Sequence, residues 1–286
     1  MNYRHAFHAG NHGDVLKHVA LLGLCEALVR KPAPVFALDT HAGRGLYALD
    51  AEAARRTGEA AGGVERLLSH QGLEPLVERY LVAVTACRQA HGALAYPGSP
   101  WLLAHALRAQ DRIACCELQP DEAAALKANL RDEPRVAVHQ RDGYAAIAAL
   151  LPPTVDGQRF SRGLVLVDPP YEAQLGEFET ARDALRTGLE RWPQACYALW
   201  YPIKQRRQLQ PFYRRAATLE AKSALRIELL VRADDSPLRM NGSGLLILNA
   251  PYQFERTLAP ALAQLATLLA EPGAPAPRLD WLKPPA

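Results

Sequence analysis

Cysteine is scarce in this 286-residue chain. There are five, Cys25, Cys87, Cys115, Cys116 and Cys196, an odd number with no paired spacing of the kind that holds zinc. A disulfide framework does not fit, and Cys115 and Cys116 fall inside an apolar run where free buried thiols are expected, so the chain reads as a protein of the reduced cytoplasm. No apolar stretch approaches the length of a membrane span, and no membrane partner is expected. The opening MNYRHAFHAGNHG is polar and rich in histidine, which does not read as a secretory leader. An excess of one charge is also lacking: the net charge is +3, which permits a polyanionic partner without establishing one. Neither an internal repeat, nor a G-x-G-x-x-G fingerprint, nor the lysine of a phosphate loop is present.

What is present is the material of a globular α/β domain. Apolar residues make up 49% of the chain and charged residues 22%, enough for a sizeable core. Seven segments rich in β-branched and apolar residues read as strands: 34–39, 112–117, 135–140, 163–168, 195–201, 224–231 and 244–249. Helical patterns separate the first five, which predicts a parallel sheet covered on both faces. Only the loop RADDSPLRMNGSG separates the last two, which predicts an antiparallel edge hairpin. A seven-stranded, mostly parallel sheet of this kind is the plan of Rossmann-like methyltransferases that use S-adenosylmethionine; a plan sets an expectation of fold, not of chemistry. A helix with apolar residues along one face is expected over 13–30. The segment 40–111 is too long for a single crossover, and GGVERLLSHQ and LEPLVERYLVAVTACRQA within it are amphipathic helical patterns. Residues 50–95 are therefore read as an inserted small helical subdomain, and 1–49 with 96–286 as the Rossmann-like domain. The tail EPGAPAPRLDWLKPPA is rich in proline, with Trp281 as the residue to order part of it.

Ligands of an open parallel sheet sit at the carboxyl ends of its strands, near the point where strand order reverses. The first strand ends in Asp39 and THAGRG, the second in Glu117, the third in RDGY, and the fourth in Asp168 followed by two prolines and Tyr171. Gly43 and Gly45 let backbone approach a ligand closely. Without a pyrophosphate signature, S-adenosylmethionine fits that turn; an ordinary strand-to-helix turn is the plainer reading. Glu117 can accept from both ribose hydroxyls, or simply neighbour the helix that LQPDE begins. Asp142 and Gly143 can hold an adenine amine and edge, or form an Asp-Gly turn.

GLVLVDPPYE carries the chemistry. An acid at the end of an apolar strand is costly to desolvate unless something pairs with it. Asp168 and the carbonyl of Pro169 can accept the two N–H groups of an exocyclic adenine amine, drawing density to a poor nucleophile and fixing its direction. Tyr171 can stack on an extruded base. NAPY (249–252) is a second copy of the pattern, but it follows strand seven, which lies in the edge hairpin, further from the glycine turn after the first strand. His8 and His12 have the spacing of a metal pair on one helix face, yet glycines and Asn11 break the helix there and no further ligand completes a site, so no metal is expected. The basic stretch IKQRRQLQPFYRR (203–215) reads either as a phosphate-contacting surface or as a solvated helix face.

YRHAFHAGNHGDVLKH, LDTHAGRGLY, YPGSP, DPPYE and YALWYPI, in this order, resemble the bacterial 23S rRNA adenine-N6 methyltransferase J family over nearly the whole chain, insert included. The first stretch is highly specific, whereas D-P-P-Y occurs across many amine methyltransferases. The resemblance implies S-adenosylmethionine contacts at His18, His41, Ser99, Glu117, Asp142, Gly143 and Asp168. It also implies Asp168 as catalytic acceptor and Tyr3 near the RNA, with His5 and Lys17 as further contributors. Ala250 stands where the family is expected to carry a proline. The implied reaction is N6-methylation of one adenine in naked or incompletely assembled 23S rRNA, leaving S-adenosylhomocysteine and needing no metal. A cytoplasmic monomer without an obligate protein partner is expected. DNA adenine-N6 methylation, or methylation of another amine, is the alternative. Read from the residues alone, the chain is a methyltransferase acting on a planar amine; RNA enters with the resemblance.

Overall fold

A computed structural model of the chain describes residues 8–171, 175–237 and 240–285. It opens with helix α1, His12–Val29, capped by Asn11, whose side chain accepts the Asp14 N–H at 2.9 Å. The sequence pattern assigns α1 one apolar face. In the structure every residue from His12 to Cys25 is buried, because the helix lies between the central sheet and other helices. Gly23 permits the close packing: a Cβ there would meet Leu76 at 3.1 Å and Phe254 at 3.2 Å.

The central sheet contains β1 (Phe36–Asp39), β2 (Arg112–Glu117), β3 (Val136–Gln140), β4 (Gly163–Val167), β5 (Cys196–Ile203), β6 (Ala224–Leu230), β7 (Gly242–Leu248) and β8 (Arg278–Lys283). Their spatial order is β3-β2-β1-β4-β5-β7-β6-β8. The first five are parallel, and β7 runs antiparallel between β5 and β6. The α/β class and the seven expected strands are present, but the sheet has eight. The extra strand, β8, comes from the proline-rich tail and pairs antiparallel with β6 alone. A short edge strand bounded by prolines leaves little pattern to read; Arg226 and Asp280 lock it in place through hydrogen bonds of 2.9 and 2.6 Å.

On either side of residues 50–95, Leu46–Ala48 pairs with Ala95–Pro97 as a two-stranded antiparallel ribbon. Between these lie α2 (Glu52–Thr57), a 3₁₀ turn (Glu59–Gly62), α3 (Val64–Leu68) and α4 (Pro75–His91). Leu76, Val77, Tyr80 and Val84 of α4 share one core with α1 and with α10 (Phe254–Leu269). Helices α5 (Ser99–Ala106), α6 (Pro120–Asn129), α7 (Gly143–Leu150), α8 (Leu175–Arg191) and α9 (Gln210–Ala217) complete the layers. Strand β4 is buried on both faces: Leu164 and Leu166 join the core beneath α1, and Val165 and Val167 join the core beneath α8 and α9. Its neighbours are β1 and β5, so its carboxyl end opens at the point where strand order reverses. No helix among the described residues is long and apolar enough to cross a membrane.

Candidate active site

The carboxyl ends of β1, β2 and β4 surround a cavity of about 300 Å³. His18, His41, Gly43, Ser99, Glu117, Asp142, Gly143 and Asp168, eight residues singled out from sequence for the cofactor, all line it, as does Lys17. Gly43 and Gly45 adopt the left-handed conformation, with φ +58° and +71°. The turn they make aims the Gly43 N–H at Glu117, which accepts it at 2.9 Å through one oxygen and the Gln119 N–H at 2.7 Å through the other. Burial pushes the Glu117 carboxyl upward against these bonds. Each oxygen keeps a further lone pair for a diol. Asp142 caps α7 by accepting the Ala145 N–H at 2.7 Å while lining the cavity. At Gly143 a Cβ would lie 1.9 Å from the Thr40 carbonyl oxygen, so only glycine lets α7 start this close to β1.

The histidines are fixed by their neighbours. The Thr40 hydroxyl donates its one proton to the Leu166 carbonyl at 3.0 Å. It therefore accepts from His41 Nδ1 at 2.7 Å, leaving Nε2 as an acceptor. Burial lowers the His41 pKa to about 4, so the ring is neutral, and Tyr144 packs edge-on against it at 5.0 Å. His18 Nδ1 bonds the Tyr96 hydroxyl at 3.0 Å, which in turn meets Tyr80 at 3.0 Å. Asp39, fully buried beneath them, has its carboxyl pushed up to about 7 by burial, against hydrogen bonds from Ser99 and the His41 N–H.

Asp168 sits at the wall between this cavity and a second one of about 690 Å³; Lys17, Asp168 and Pro170 line both. Lys17 Nζ donates to Asp168 Oδ2 at 2.6 Å and pairs with Asp14 Oδ1 at 2.8 Å. Burial opposes the lysine's charge, but the two carboxylates outweigh it and hold the pKa well above the ordinary lysine value. This pairing answers the cost of an acid at the end of an apolar strand. Tyr171 lines the second cavity with φ +51°; its hydroxyl donates to the Trp200 carbonyl at 2.9 Å, and its ring lies 4.8 Å from that of Phe178. Pro169 is buried and lines neither cavity. Tyr3 and His5 lie outside the described residues.

Several features separate here. In NAPY, Asn249 accepts the Lys222 N–H and donates to the Pro193 and Ala195 carbonyls, so its side chain is spent on backbone. His8 pairs with Glu59 at 3.0 Å, and His12 is buried. Of the basic stretch 203–215, Arg206 is buried against Glu228 at 3.0 Å and Arg215 pairs with Glu179. Lys204, Arg207 and Arg214 remain exposed. Among the lining residues that sequence reasoning missed are Pro170, Tyr144 and Glu177. The first two stand inside quoted motifs and were legible there. Glu177 on α8, which accepts from the Tyr144 hydroxyl at 2.6 Å, carries no local signal.

The family described as "Ribosomal RNA large subunit methyltransferase D, RlmJ" matches residues 32–283. Ribosomal RNA large subunit methyltransferase J of Escherichia coli K12 is 34% identical over 284 residues, 99% of each chain, and its counterpart in Haemophilus influenzae is 34% identical over 285 residues, again 99% of each. The crystal structure of protein LPL1258 from Legionella pneumophila superposes with a TM-score of 0.83 at 32% identity, covering 96% of this chain and 98% of that one. The chain belongs to the RlmJ family of ribosomal RNA large subunit methyltransferases.

Proposed function

We propose that the chain transfers a methyl group from S-adenosylmethionine to the N6 amine of an adenine in 23S rRNA, acting on naked or incompletely assembled RNA. The observation that carries this reading is the place of Asp168: on the wall shared by two cavities, oriented by Lys17.

The first cavity fits the cofactor by its donor set, the carboxylates of Glu117 and Asp142 beside backbone at Gly43 and Gly143. Glu117 would hold the ribose hydroxyls, Asp142 and Gly143 the adenine, and His18, His41, Gly43 and Ser99 the remainder. S-adenosylmethionine supplies an electrophilic methyl on a sulfonium. Everything else asked of the protein is positioning and electrostatics. Lys17 occupies Asp168 Oδ2, which leaves Oδ1 to accept one N–H of the target amine. This acceptor raises electron density on nitrogen and directs its lone pair; Pro169, buried and outside both cavities, is not given the second N–H. Lys17 cannot serve as the proton acceptor, because its two carboxylates keep it charged. The proton leaves to Asp168 or to water once the N–C bond has formed. Tyr171, with Trp200 beside it, forms the apolar side of the base pocket.

The test is transfer of radiolabel from S-adenosylmethionine to unmodified 23S rRNA, with DNA and assembled large subunits in parallel and digested nucleosides identified by mass spectrometry. N6-methyladenosine from naked 23S rRNA alone is the expected result. Label in another nucleoside, or in DNA, would replace the substrate assignment.

A further inference from the structure

The second cavity is walled by segments far apart in sequence. The start of α1 contributes Asn11 and His12, α3 of the insert contributes Arg66, and the connection after β6 contributes Arg232. The end of α10 draws the two arginines together. Arg66 Nη1 donates to the Leu269 carbonyl at 3.1 Å, while Arg232 Nε pairs with Glu271 at 3.1 Å and Glu271 N–H donates to Val231 at 2.8 Å. Arg66 is exposed and has no carboxylate partner among the described residues. His12 is 7% exposed, its Nδ1 has no hydrogen-bond partner, and it opens α1, whose N-terminal end is positive. Burial, together with the charge of Arg232, holds the His12 ring neutral, with a pKa lowered to about 4.

Acidic groups share this wall, but they are engaged. Asp14 carries Lys17 and the Gly10 N–H, and Glu59 carries His8 and Asn11. Glu271 lines the cavity too and is engaged by Arg232, whose Nη1 also donates to the Met240 carbonyl at 3.1 Å, so what faces a ligand is the Arg66 guanidinium and the remaining donors of Arg232, beside a helix N-terminus and a buried imidazole. The same cavity reaches Asp168.

We propose that Arg66 and Arg232, with the start of α1 and His12, form a phosphate-binding track that holds the RNA backbone beside the adenosine whose base reaches Asp168. The inference rests on the functional reading above and deepens it. It gives the helical insert a task, carrying one arm of the track on α3, and it gives the β6–β7 connection the other.

The test uses the full chain with Arg66→Gln, Arg232→Gln and the double variant, measuring binding to a naked 23S rRNA transcript across a salt series with S-adenosylhomocysteine present. Each single substitution should weaken binding about three- to tenfold and flatten the log–log salt dependence by roughly one unit. KM for RNA should rise more than kcat falls, and cofactor affinity by calorimetry should hold. Glu271→Gln separates charge from structure, since it releases the ion pair yet keeps both arginines; it should bind RNA at least as tightly as the parent. Unchanged affinity and salt slope in the double variant would overturn the track. So would a loss in Glu271→Gln equal to that in Arg232→Gln, which would mean the arginine only braces its loop. A parent enzyme that methylates 23S rRNA while the double variant binds it normally sinks the track alone; a parent that transfers nothing to RNA sinks the functional reading with it.

Discussion

Asp168-Pro-Pro-Tyr and Asn249-Ala-Pro-Tyr are nearly the same word written at the ends of two apolar strands. In the first, Asp168 leaves one oxygen for a ligand and Tyr171 is 8% exposed against the second cavity; in the second, Asn249 is bonded to three backbone groups and Tyr252 is 87% exposed. Strand direction makes the difference. β4 is parallel to β1, so Asp168 emerges beside Asp39 and Thr40, where strand order reverses. β7 is antiparallel to β5, with Leu248 opposite Tyr197, so Asn249 emerges at the other end of the sheet, next to the residues that enter β5. A motif acquires chemistry from the end of the sheet it reaches.

The largest way to break this comparison is Asp168→Ala, which should lower turnover roughly 10²–10⁴-fold while calorimetry shows cofactor affinity within about threefold of the parent. A comparable loss of cofactor binding would make Asp168 a cofactor residue alone. Next comes Lys17→Met. It strands Asp14 and Asp168 without their shared cation, and urea unfolding should report about 3–5 kcal/mol less stability, with activity falling too. Asn249→Ala sharpens the contrast: it should cost about 2–3 kcal/mol of stability by removing three hydrogen bonds, yet leave turnover per folded molecule unchanged. Reduced turnover at full folding would return the second motif to the list of sites.

The smallest effect lies at Asp39. Its carboxyl titrates near 7 in the folded chain, above its unfolded value of 3.8, so the folded state holds a proton that the unfolded state has released. Stability should therefore fall as pH rises from about 5 to 7, by up to about 2 kcal/mol, and Asp39→Asn should flatten that slope in denaturant titrations. An equally steep slope in the variant would place the titration elsewhere.

Much of this was legible in the chain. Seven strands, the α1 helix and the helical character of residues 50–95 follow from periodicity, and the acids and glycines at strand ends name five residues that line the first cavity, Gly43, Glu117, Asp142, Gly143 and Asp168, whereas His18, His41 and Ser99 came only with the family resemblance. β8 was not legible, because a six-residue edge strand among prolines has almost no pattern of its own. Nor was the all-round burial of α1, since buried Asp14, Lys17 and His18 look like a polar face until their partners are known. The basic stretch 203–215 promised a charged surface, but Arg206 turned inward to Glu228, which no local rule foretells.

What the sequence determined by itself was local: which segments alternate or run apolar, where glycine must bend the chain at Gly43, and which acids close the strands. Tertiary structure alone decided the partnerships, because they join residues far apart in the chain that only the crossing of elements brings within hydrogen-bond reach. Lys17 meets Asp168 across a helix and a strand, and α10 gathers Arg66 and Arg232 onto one wall. The same logic set the fates of the two tyrosine motifs, since a strand's direction in the sheet is a property of pairing, and pairing is written in no single segment.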